Sequence, residues 1–435
     1  MSTVQMSDRL DQTLKEFIIP KFRKNFYRLS KKPMLRYLGM ETDEVPGKGT
    51  GASNPRVQRI ETVDSAFKFQ VEHNTHAFGG GTYGQKIGAT LRPGTFYGQR
   101  SNAKVKFITQ SMEIPIQVIQ ASRKPEFSMV DEIVQNMDGA MHTMHQEQNR
   151  MFFAPTTHAI AVVDGTSTGT TVTLDNGGTA ETPPIKHLQK GDVLWIGTAA
   201  EIEANPMAAE TVTVSEVASR LTFTATTAES VTDNDIVVRA DVYDLTDSVY
   251  TDWTSCRTLI NNTGTVQGIN KATNYWFQSY VPSDVGALAL ADFSDMANST
   301  REYSDDPSAC FWIGNQKQWD RYSALLTSTK SYDADKFQGN LAGGVKGLAV
   351  YTPDGSLPFY IDNDVEDGLI YLIDPNGLAF CSFREFGPAE DGLNLGGYPA
   401  QRKSGTLNYE LALWVGGELA QTNSRSSGVL KGITS

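Results

Sequence analysis

The spacing of hydrophobic residues changes along the chain, and the clearest helical pattern lies between residues 128 and 153. Apolar side chains recur there every three or four positions, with one gap, at Met129, Ile133, Met137, Met141, Met144 and Met151 or Phe152. This period predicts one long helix from Ser128 to Phe153, which Pro155 ends. A helix of about 26 residues would be roughly 39 Å long.

Residues 157–243 show a different pattern, in which apolar and polar residues alternate over short runs. The alternation predicts no helix and six short strands, at Ala159–Val163, Thr170–Leu174, Asp192–Ile196, Thr211–Val217, Arg220–Ala225 and Asp235–Arg239. Their alternating apolar set is Val172, Leu174, Val193, Trp195, Val212, Val214, Leu221, Phe223, Ile236 and Val238. This rhythm is typical of a small β-barrel or sandwich, so we interpret these residues as an inserted domain. Alternatively, the strands belong to the main sheet.

Beyond this region the chain mixes both periods. Residues 244–400 predict helices at Pro282–Arg301 and Gln316–Leu326. They also predict strands at Cys310–Ile313, Gly347–Tyr351, Phe359–Asp362 and Leu369–Ile373. We therefore expect an α/β body. Residues 401–435 alternate up to a Gly-rich break and then return, so we expect closing strands that pack with the long helix.

The chain before the long helix is interpreted as an arm followed by an extended hairpin. Residues 1–78 contain a basic amphipathic stretch, a Gly-rich linker and a short strand, Phe67–Val71. In residues 79–118 a Gly-rich polar tract precedes strands at Val105–Thr109 and Ile114–Val118, which predicts a long two-stranded excursion. Because an isolated hairpin is marginal in water, we expect it to lie on a partner.

The charge of the chain is unevenly distributed. The net charge of -12 argues against nucleic-acid binding by the chain as a whole, since phosphate neutralisation needs clustered cations. Between residues 15 and 36, however, basic residues are set against the single acid Glu16 and interleaved with apolar residues at near-helical spacing; they are Lys15, Lys21, Arg23, Lys24, Arg28, Lys31, Lys32 and Arg36. This segment either docks on its own fold or contacts neighbouring subunits, a scaffold or packaged DNA.

Composition narrows the class of protein. A chain of 435 residues is expected to contain more than one hydrophobic core. There is no basic and apolar leader, and no apolar run of the roughly 18 residues that span a bilayer, so we expect a protein made in a cytoplasm without a membrane partner. Cys256, Cys310 and Cys381 are odd in number and far apart, which indicates buried thiols and no disulfide framework.

Several motifs suggest chemistry but do not complete it. Gly79-x-Gly81-x-x-Gly84 matches a dinucleotide fingerprint without the helix that should follow, and Gln85 stands where a Walker motif needs lysine. His142 and His145 lack zincin spacing and a third ligand. Asp362-x-Asp364-x-Glu366 resembles a calcium loop but has no final glutamate, which favours an acidic surface turn. We therefore expect no catalytic, cofactor or metal site, and no enzyme.

Two blocks near the end of the chain, together with an earlier motif, resemble a known family. The first block comprises Lys346–Val350, Pro358–Asp362 and Gly368–Pro375, and the second runs from Leu407 to Ile433. Gly268–Trp276 is similar to a Gly-Ile-Asp-Arg-x-Thr-x-x-Trp stretch, with Asn270 and Lys271 in the acidic and arginine positions. Over residues 60–155 and 244–433 the chain resembles the tailed-phage major capsid proteins of the Hong Kong 97 type.

The resemblance implies an α+β capsid fold of known parts. These are an N-terminal arm (1–78), an extended loop (79–118), a peripheral domain with a spine helix (119–156), an axial domain with peripheral segments (244–400) and closing peripheral strands (401–435). The six-stranded β-barrel-like insertion (157–243) is added to this plan.

The resemblance also implies a function: a structural subunit that self-assembles into hexamers and pentamers of an icosahedral prohead around double-stranded DNA. Expected partners are further copies, a scaffold that is either a separate protein or a removed extension, a portal, non-specifically bound DNA and a decoration protein, in a virion assembled in the host cytoplasm. Some relatives link a loop lysine to a neighbour's asparagine, but no motif identifies a partner for Lys86. Two alternatives are an encapsulin-like compartment of the same fold and a β-rich adhesion or carbohydrate-binding protein.

Candidate intersubunit or internal contacts are the cations of the arm and of the extended loop. They are Lys21, Arg23, Lys24, Arg28, Lys31, Lys32, Lys86, Arg92 and Arg100.

Overall fold

The computed structural model describes residues 32–38, 57–58, 62–63, 66–74, 97–114, 127–175, 184–204, 210–240, 242–244, 249–327, 349–352, 355–388, 400–402 and 409–434. The helices in these ranges are α1 (Pro33–Leu38), α2 (Phe127–Phe153), α3 (Ala199–Ala204), α4 (Cys256–Leu259), α5 (Leu290–Arg301) and α6 (Gln316–Thr327). None of the described helices is long and apolar enough to cross a membrane.

The strands form several sheets. Those before residue 240 are β1 (Val57–Gln58), β2 (Thr62–Val63), β3 (Ala66–Asn74), β4 (Tyr97–Lys104), β5 (Lys106–Ile114), β6 (Ala161–Val162), β7 (Thr171–Thr173), β8 (Val193–Gly197), β9 (Glu210–Val217), β10 (Thr222–Ala225) and β11 (Ile236–Arg239). Those after it are β12 (Tyr243–Asp244), β13 (Val249–Tyr250), β14 (Thr265–Val266), β15 (Ile269–Asn270), β16 (Phe311–Gly314), β17 (Ala349–Thr352), β18 (Gly355–Ile361), β19 (Ile370–Ile373), β20 (Leu378–Pro388), β21 (Ala400–Arg402), β22 (Tyr409–Gln421) and β23 (Gly428–Leu430).

The predicted long helix is confirmed as α2, which covers Phe127–Phe153. Its buried residues include Met144, Met151 and Phe152, which lie in the main core with Leu411 and Leu413 of β22. Burying each large apolar side chain contributes about 1.5–3 kcal/mol, so this face fixes the helix on the sheet. The helix ends just before Pro155, as expected for a residue without an N–H.

The sheet that packs against α2 has the strand order β1-β20-β22-β21. The long strand β22 also pairs with β5. The predicted break at the glycines of β22 is wrong, because the strand runs through them. A Cβ on Gly417 would lie 2.5 Å from Cζ of Phe380, so glycine here makes room for the neighbouring strand.

The predicted hairpin of strands 105–109 and 114–118 is also wrong. One strand, β5, covers Lys106–Ile114 without a turn and pairs with β22, and residues 115–118 of the second predicted strand lie outside the described residues. The hairpin is formed instead by β3 and β4, from Ala66 opposite Lys104 to Asn74 opposite Tyr97. The short strand predicted within the arm is thus part of this hairpin, and its tip, residues 75–96, lies outside the described residues.

A second sheet has the order β17-β18-β16-β19-β23 and forms a core with α5 and α6. Helix α5 begins at Leu290 and not at Pro282, because Gly286 has a positive φ of 68° that breaks a helix and Asp292 caps the N–H of Ala289 at 2.8 Å. The last strand, β23, pairs with β19. The prediction placed the closing strands with the long helix only. The structure shows that β22 packs with that helix and that β23 joins the second sheet.

All six strands predicted for residues 157–243, here called the insert, are present. They form one curled antiparallel sheet of order β6-β11-β8-β9-β10-β7, and a bridge between Val163 and Leu174 joins the chain beside the two edge strands. The insert has its own apolar core, separate from those of the two larger sheets. The boundaries at residues 157 and 243 stay predictions.

Two details of the insert differ from the prediction. It contains α3 and a 3-10 turn at Pro184–His187, where no helix was expected. In β8 and β11 the residues facing the core are Leu194, Ile196 and Val237. Their neighbours lie on the opposite face, where Val193 is 44% exposed and Val238 packs with Ile202 of α3.

The separate core leads to a prediction: residues 157–243 expressed alone fold into a β-rich monomer. An autonomous core defines a domain, and we expect a single cooperative transition with an unfolding free energy of about 5 kcal/mol. Urea titration followed by circular dichroism measures it. Collapsed amide dispersion in a proton–nitrogen NMR spectrum would show that the fragment does not fold alone, which would favour the alternative that these strands belong to the main sheet.

Candidate functional site

Two carboxylates in the turn after β18, Asp362 and Asp364, are almost fully buried, with side-chain exposures of 1% each. The prediction of an acidic surface turn is therefore wrong for these two aspartates, whereas Glu366 of the same turn is exposed. The turn is held in place because the Asp362 N–H donates to the carbonyl of Gly314 at 2.9 Å and because Val365 lies in the main core. Buried carboxylates are stable only with partners, and these come from distant parts of the chain.

Three segments reach Asp364. Lys32, which precedes α1, places Nζ 2.7 Å from Oδ2. From the insert, Lys186 Nζ contacts Oδ1 and His187 Nε2 lies 3.1 Å from the same oxygen. From α2, Asn149 Nδ2 donates to Asp364 at 2.5 Å and to both oxygens of Asp362 at 3.0 Å. We call this set the charged junction, namely Lys32, Asn149, Lys186, His187, Asp362 and Asp364.

Local packing fixes each contributor. Met34 and Leu35 of α1 are fully buried in the main core, which anchors the backbone next to Lys32. Ile185 and Leu188 are buried in the core of the insert and flank Lys186 and His187. The charged junction is thus built from side chains whose neighbours are held by separate apolar cores.

The pKa values of the two carboxylates are shifted in opposite directions. Burial alone would raise the pKa of Asp364, but the hydrogen bond from His187 and the charges of Lys186 and Lys32 hold it well below the usual range. Burial and the adjacent charge of Asp364 raise the pKa of Asp362. Burial lowers the pKa of His187. Asp364 is therefore the ionised centre on which the cations converge.

A second group of ion pairs joins the insert to α2. Arg239 of β11 lies 2.6 Å from Glu147 of α2 and donates to the carbonyl of His187 at 3.0 Å. Arg150 of α2 pairs with Glu147 and with Asp252, both at 2.9 Å. Burial alone would raise the pKa of Glu147, but the charges of Arg150 and Arg239 lower it. The insert is therefore fixed to the rest of the chain through charged contacts.

Next to these ion pairs lies a cavity of about 540 Å³. Its walls include Ala159 and Ile236 on the insert side and Arg150, His187 and Asp364 of the charged contacts. The described residues contain no group of three or more His, Cys, Asp or Glu side chains that could hold a metal. The arrangement binds one part of the subunit to another, and its chemistry is electrostatic.

Comparison with known proteins identifies the fold. No protein-family model and no curated protein matches the chain. The capsid subunit of cyanophage A-1(L) is 14% identical, and the match covers 94% of both chains with a TM-score of 0.50. The chain has the fold of a phage capsid subunit. The resemblance to the Hong Kong 97 type is confirmed at the level of the fold.

More distant matches are a native GTA particle capsid and the SrpI encapsulin of Synechococcus elongatus PCC 7942. The first is 9% identical over 90% of this chain and 95% of that one, with a TM-score of 0.39. The second is 10% identical over 93% and 96%, with a TM-score of 0.36.

Within this capsid fold, two of the predicted contact residues can be placed. Lys32 contacts Asp364 of its own chain, and Arg100 lies on β4 with its backbone opposite Gln70. The others, Lys21, Arg23, Lys24, Arg28, Lys31, Lys86 and Arg92, lie outside the described residues, as does the glycine motif at 79–84. Of the two histidines considered for zinc, His142 is exposed and His145 is buried.

The sequence interpretation missed the insert's side of the charged junction. Asp362 and Asp364 belong to the motif that resembles a calcium loop, but no local pattern distinguishes Lys186 or His187. Both partners are 177 positions from the acidic turn that they contact. A contact of that sequence separation leaves no periodic signal.

Proposed function

We propose that the chain is the major capsid subunit of a tailed double-stranded DNA bacteriophage, which assembles into the hexamers and pentamers of an icosahedral head. The observation that supports this most strongly is the likeness to the cyanophage capsid subunit over 94% of both chains. A match of that extent concerns the whole plan of the subunit and not one shared domain.

The β3–β4 hairpin supports the same proposal. Near its base, β2 pairs with β3 and the Asn102 N–H donates to the carbonyl of Gln267 at 2.9 Å. Toward Asn74 and Tyr97, β3 and β4 pair only with each other among the described strands. A two-stranded ladder is marginal in water, so its outer end needs a surface from a neighbouring subunit. Closed symmetry then makes many such contacts collectively strong.

The charge of the chain indicates which segment would contact DNA or a scaffold in this proposal. The chain is acidic overall, so contact with packaged DNA or a scaffold falls to the basic segment between Lys15 and Arg36. A portal and a decoration protein complete the proposed set.

Expression of the full chain with a candidate scaffold protein tests the proposal. We expect closed particles of uniform diameter by electron microscopy, with nuclease-resistant DNA in particles from infected cells. Only monodisperse monomers under these conditions would contradict it. Particles that retain a host enzyme in place of DNA would favour the encapsulin-like alternative.

A further inference from the structure

A groove of about 590 Å³ lies on the body of the subunit, away from the charged junction. It is bordered by the segment after β15, by the end of α5 and by the loop after β22. Tyrosine, amide and hydroxyl side chains dominate its walls, which include Tyr275, Gln278, Asn298, Ser299, Tyr303 and Arg425. We call it the Arg425 groove. Tyr275 is 70% exposed, the most exposed large hydrophobic side chain among the described residues.

The guanidinium of Arg425 is held in a defined position. Its Cζ lies 3.6 Å from the ring centre of Tyr303 and 5.1 Å from that of Tyr275, and Nη2 donates to the Tyr303 hydroxyl. The loop is fixed too, because Asn423 Nδ2 donates to the carbonyl of Tyr303 at 2.5 Å and Asn423 Oδ1 accepts from the Arg425 N–H at 3.2 Å. Aromatic contacts of this kind orient a cation without neutralising it.

No described carboxylate pairs with Arg425. Glu302 borders the groove but makes no ion pair with it. By contrast, Arg150, Arg239, Arg257 and Arg321 each pair with an aspartate or glutamate. An arginine that is oriented, partly exposed and without an acidic partner among the described residues is suited to receive a carboxylate from another copy.

We propose that the Arg425 groove is an intersubunit docking site for an aspartate or glutamate side chain of a second copy of this chain. The inference rests on the proposed shell function. Tyrosine and arginine are the residues that most often dominate binding energy at protein interfaces. The chain carries 50 acidic and 38 basic residues, so two copies repel each other on average. Arg425, which pairs with no carboxylate in the described part of the chain, gives the acidic surface of a second copy a charge to bind, and such complementarity fixes register.

The first test is Arg425→Gln, with Lys190→Gln as the control. Lys190 is exposed, and its replacement removes the same charge. We expect Arg425→Gln to raise the subunit concentration needed for assembly at least tenfold, Arg425→Lys to raise it less, and Lys190→Gln to leave it unchanged. Assembly of Arg425→Gln at the wild-type concentration would overturn the inference while leaving the shell function intact. A wild type that forms no particles would overturn both.

A second measurement does not depend on that variant folding. A benzophenone amino acid in place of Tyr275 is irradiated in particles made from mixed nitrogen-14 and nitrogen-15 subunits. We expect mass spectrometry to find mixed-isotope cross-links to an Asp- or Glu-containing peptide of this chain. Cross-links confined to one copy, to scaffold or to DNA would overturn the inference, as would particles without cross-links.

Discussion

Asp364→Asn is expected to lower the free energy of unfolding of the subunit by about 3 kcal/mol. The substitution removes the charge on which Lys32, Lys186 and His187 converge, and it leaves cations beside a buried neutral amide. The loss falls at the lower end of the range for broken buried ion pairs, because the two lysine side chains keep exposures of 30% and 31%. Urea unfolding of purified subunits measures it.

Asp138→Asn is the matched control, since Asp138 is exposed on α2 and loses the same charge. Its effect should stay within about 0.5 kcal/mol, as for most surface substitutions. If both variants unfold at the same urea concentration as the wild type, the charged junction does not stabilise the subunit.

Lys271 should make the wild-type subunit more stable as pH rises from about 7 to 10.5. Its side chain is fully buried, and Nζ has neutral acceptors, including the Asn261 carbonyl at 3.0 Å and Ser424 Oγ at 2.7 Å. Burial lowers its pKa from 10.5 to about 7. Within this window the unfolded chain binds a proton that the folded chain does not, so stability increases with pH.

Since one pKa unit corresponds to about 1.4 kcal/mol, Lys271 contributes a rise of about 5 kcal/mol over the whole window and about 3 kcal/mol between about pH 7.5 and 9.5. Lys271→Met keeps an unbranched apolar stem and removes the titrating group, so its unfolding free energy should change much less over the window. Lys190→Met, at an exposed position, should retain the wild-type rise. Urea unfolding at about pH 7.5 and 9.5 measures it, and parallel curves for wild type and Lys271→Met would exclude this role.

In the motif that residues 268–276 resemble, Lys271 takes the position of an arginine. Arginine stays charged in proteins, whereas a buried lysine can lose its proton. Lysine at position 271 therefore gives this chain a group able to titrate near neutral pH, which arginine would not.

The periodic elements were predictable from sequence because each has enough residues to show its period. The helix α2 and the six strands of the insert follow directly from apolar spacing. The orientation of β8 did not follow, because Val193, Leu194, Trp195 and Ile196 are all apolar and alternation permits either face. The structure places Leu194 and Ile196 inward, since Trp195 packs against the small cluster around Ile202 of α3.

Contacts between distant segments were not predictable. The hairpin was predicted too far along the chain, because the residues of β5 alternate as those of a hairpin strand would. Only the pairing of β5 with β22 shows that β5 belongs to the main sheet. The charged junction joins Lys32, Asn149 and Asp364, which no local pattern connects. Arg425 had no signal at all, because what distinguishes it is the absence of an acidic partner within the described part of the fold.

The first and last strands of the insert, β6 and β11, are hydrogen-bonded neighbours, and the Ile160 N–H donates to the carbonyl of Val237 at 2.8 Å. The chain thus leaves the body and returns to it at nearly one point. A foreign domain whose termini lie equally close is expected to fit at the same point without spreading the body apart. In the proposed shell, every copy would then carry that cargo at a fixed spacing, which suits the subunit to multivalent display.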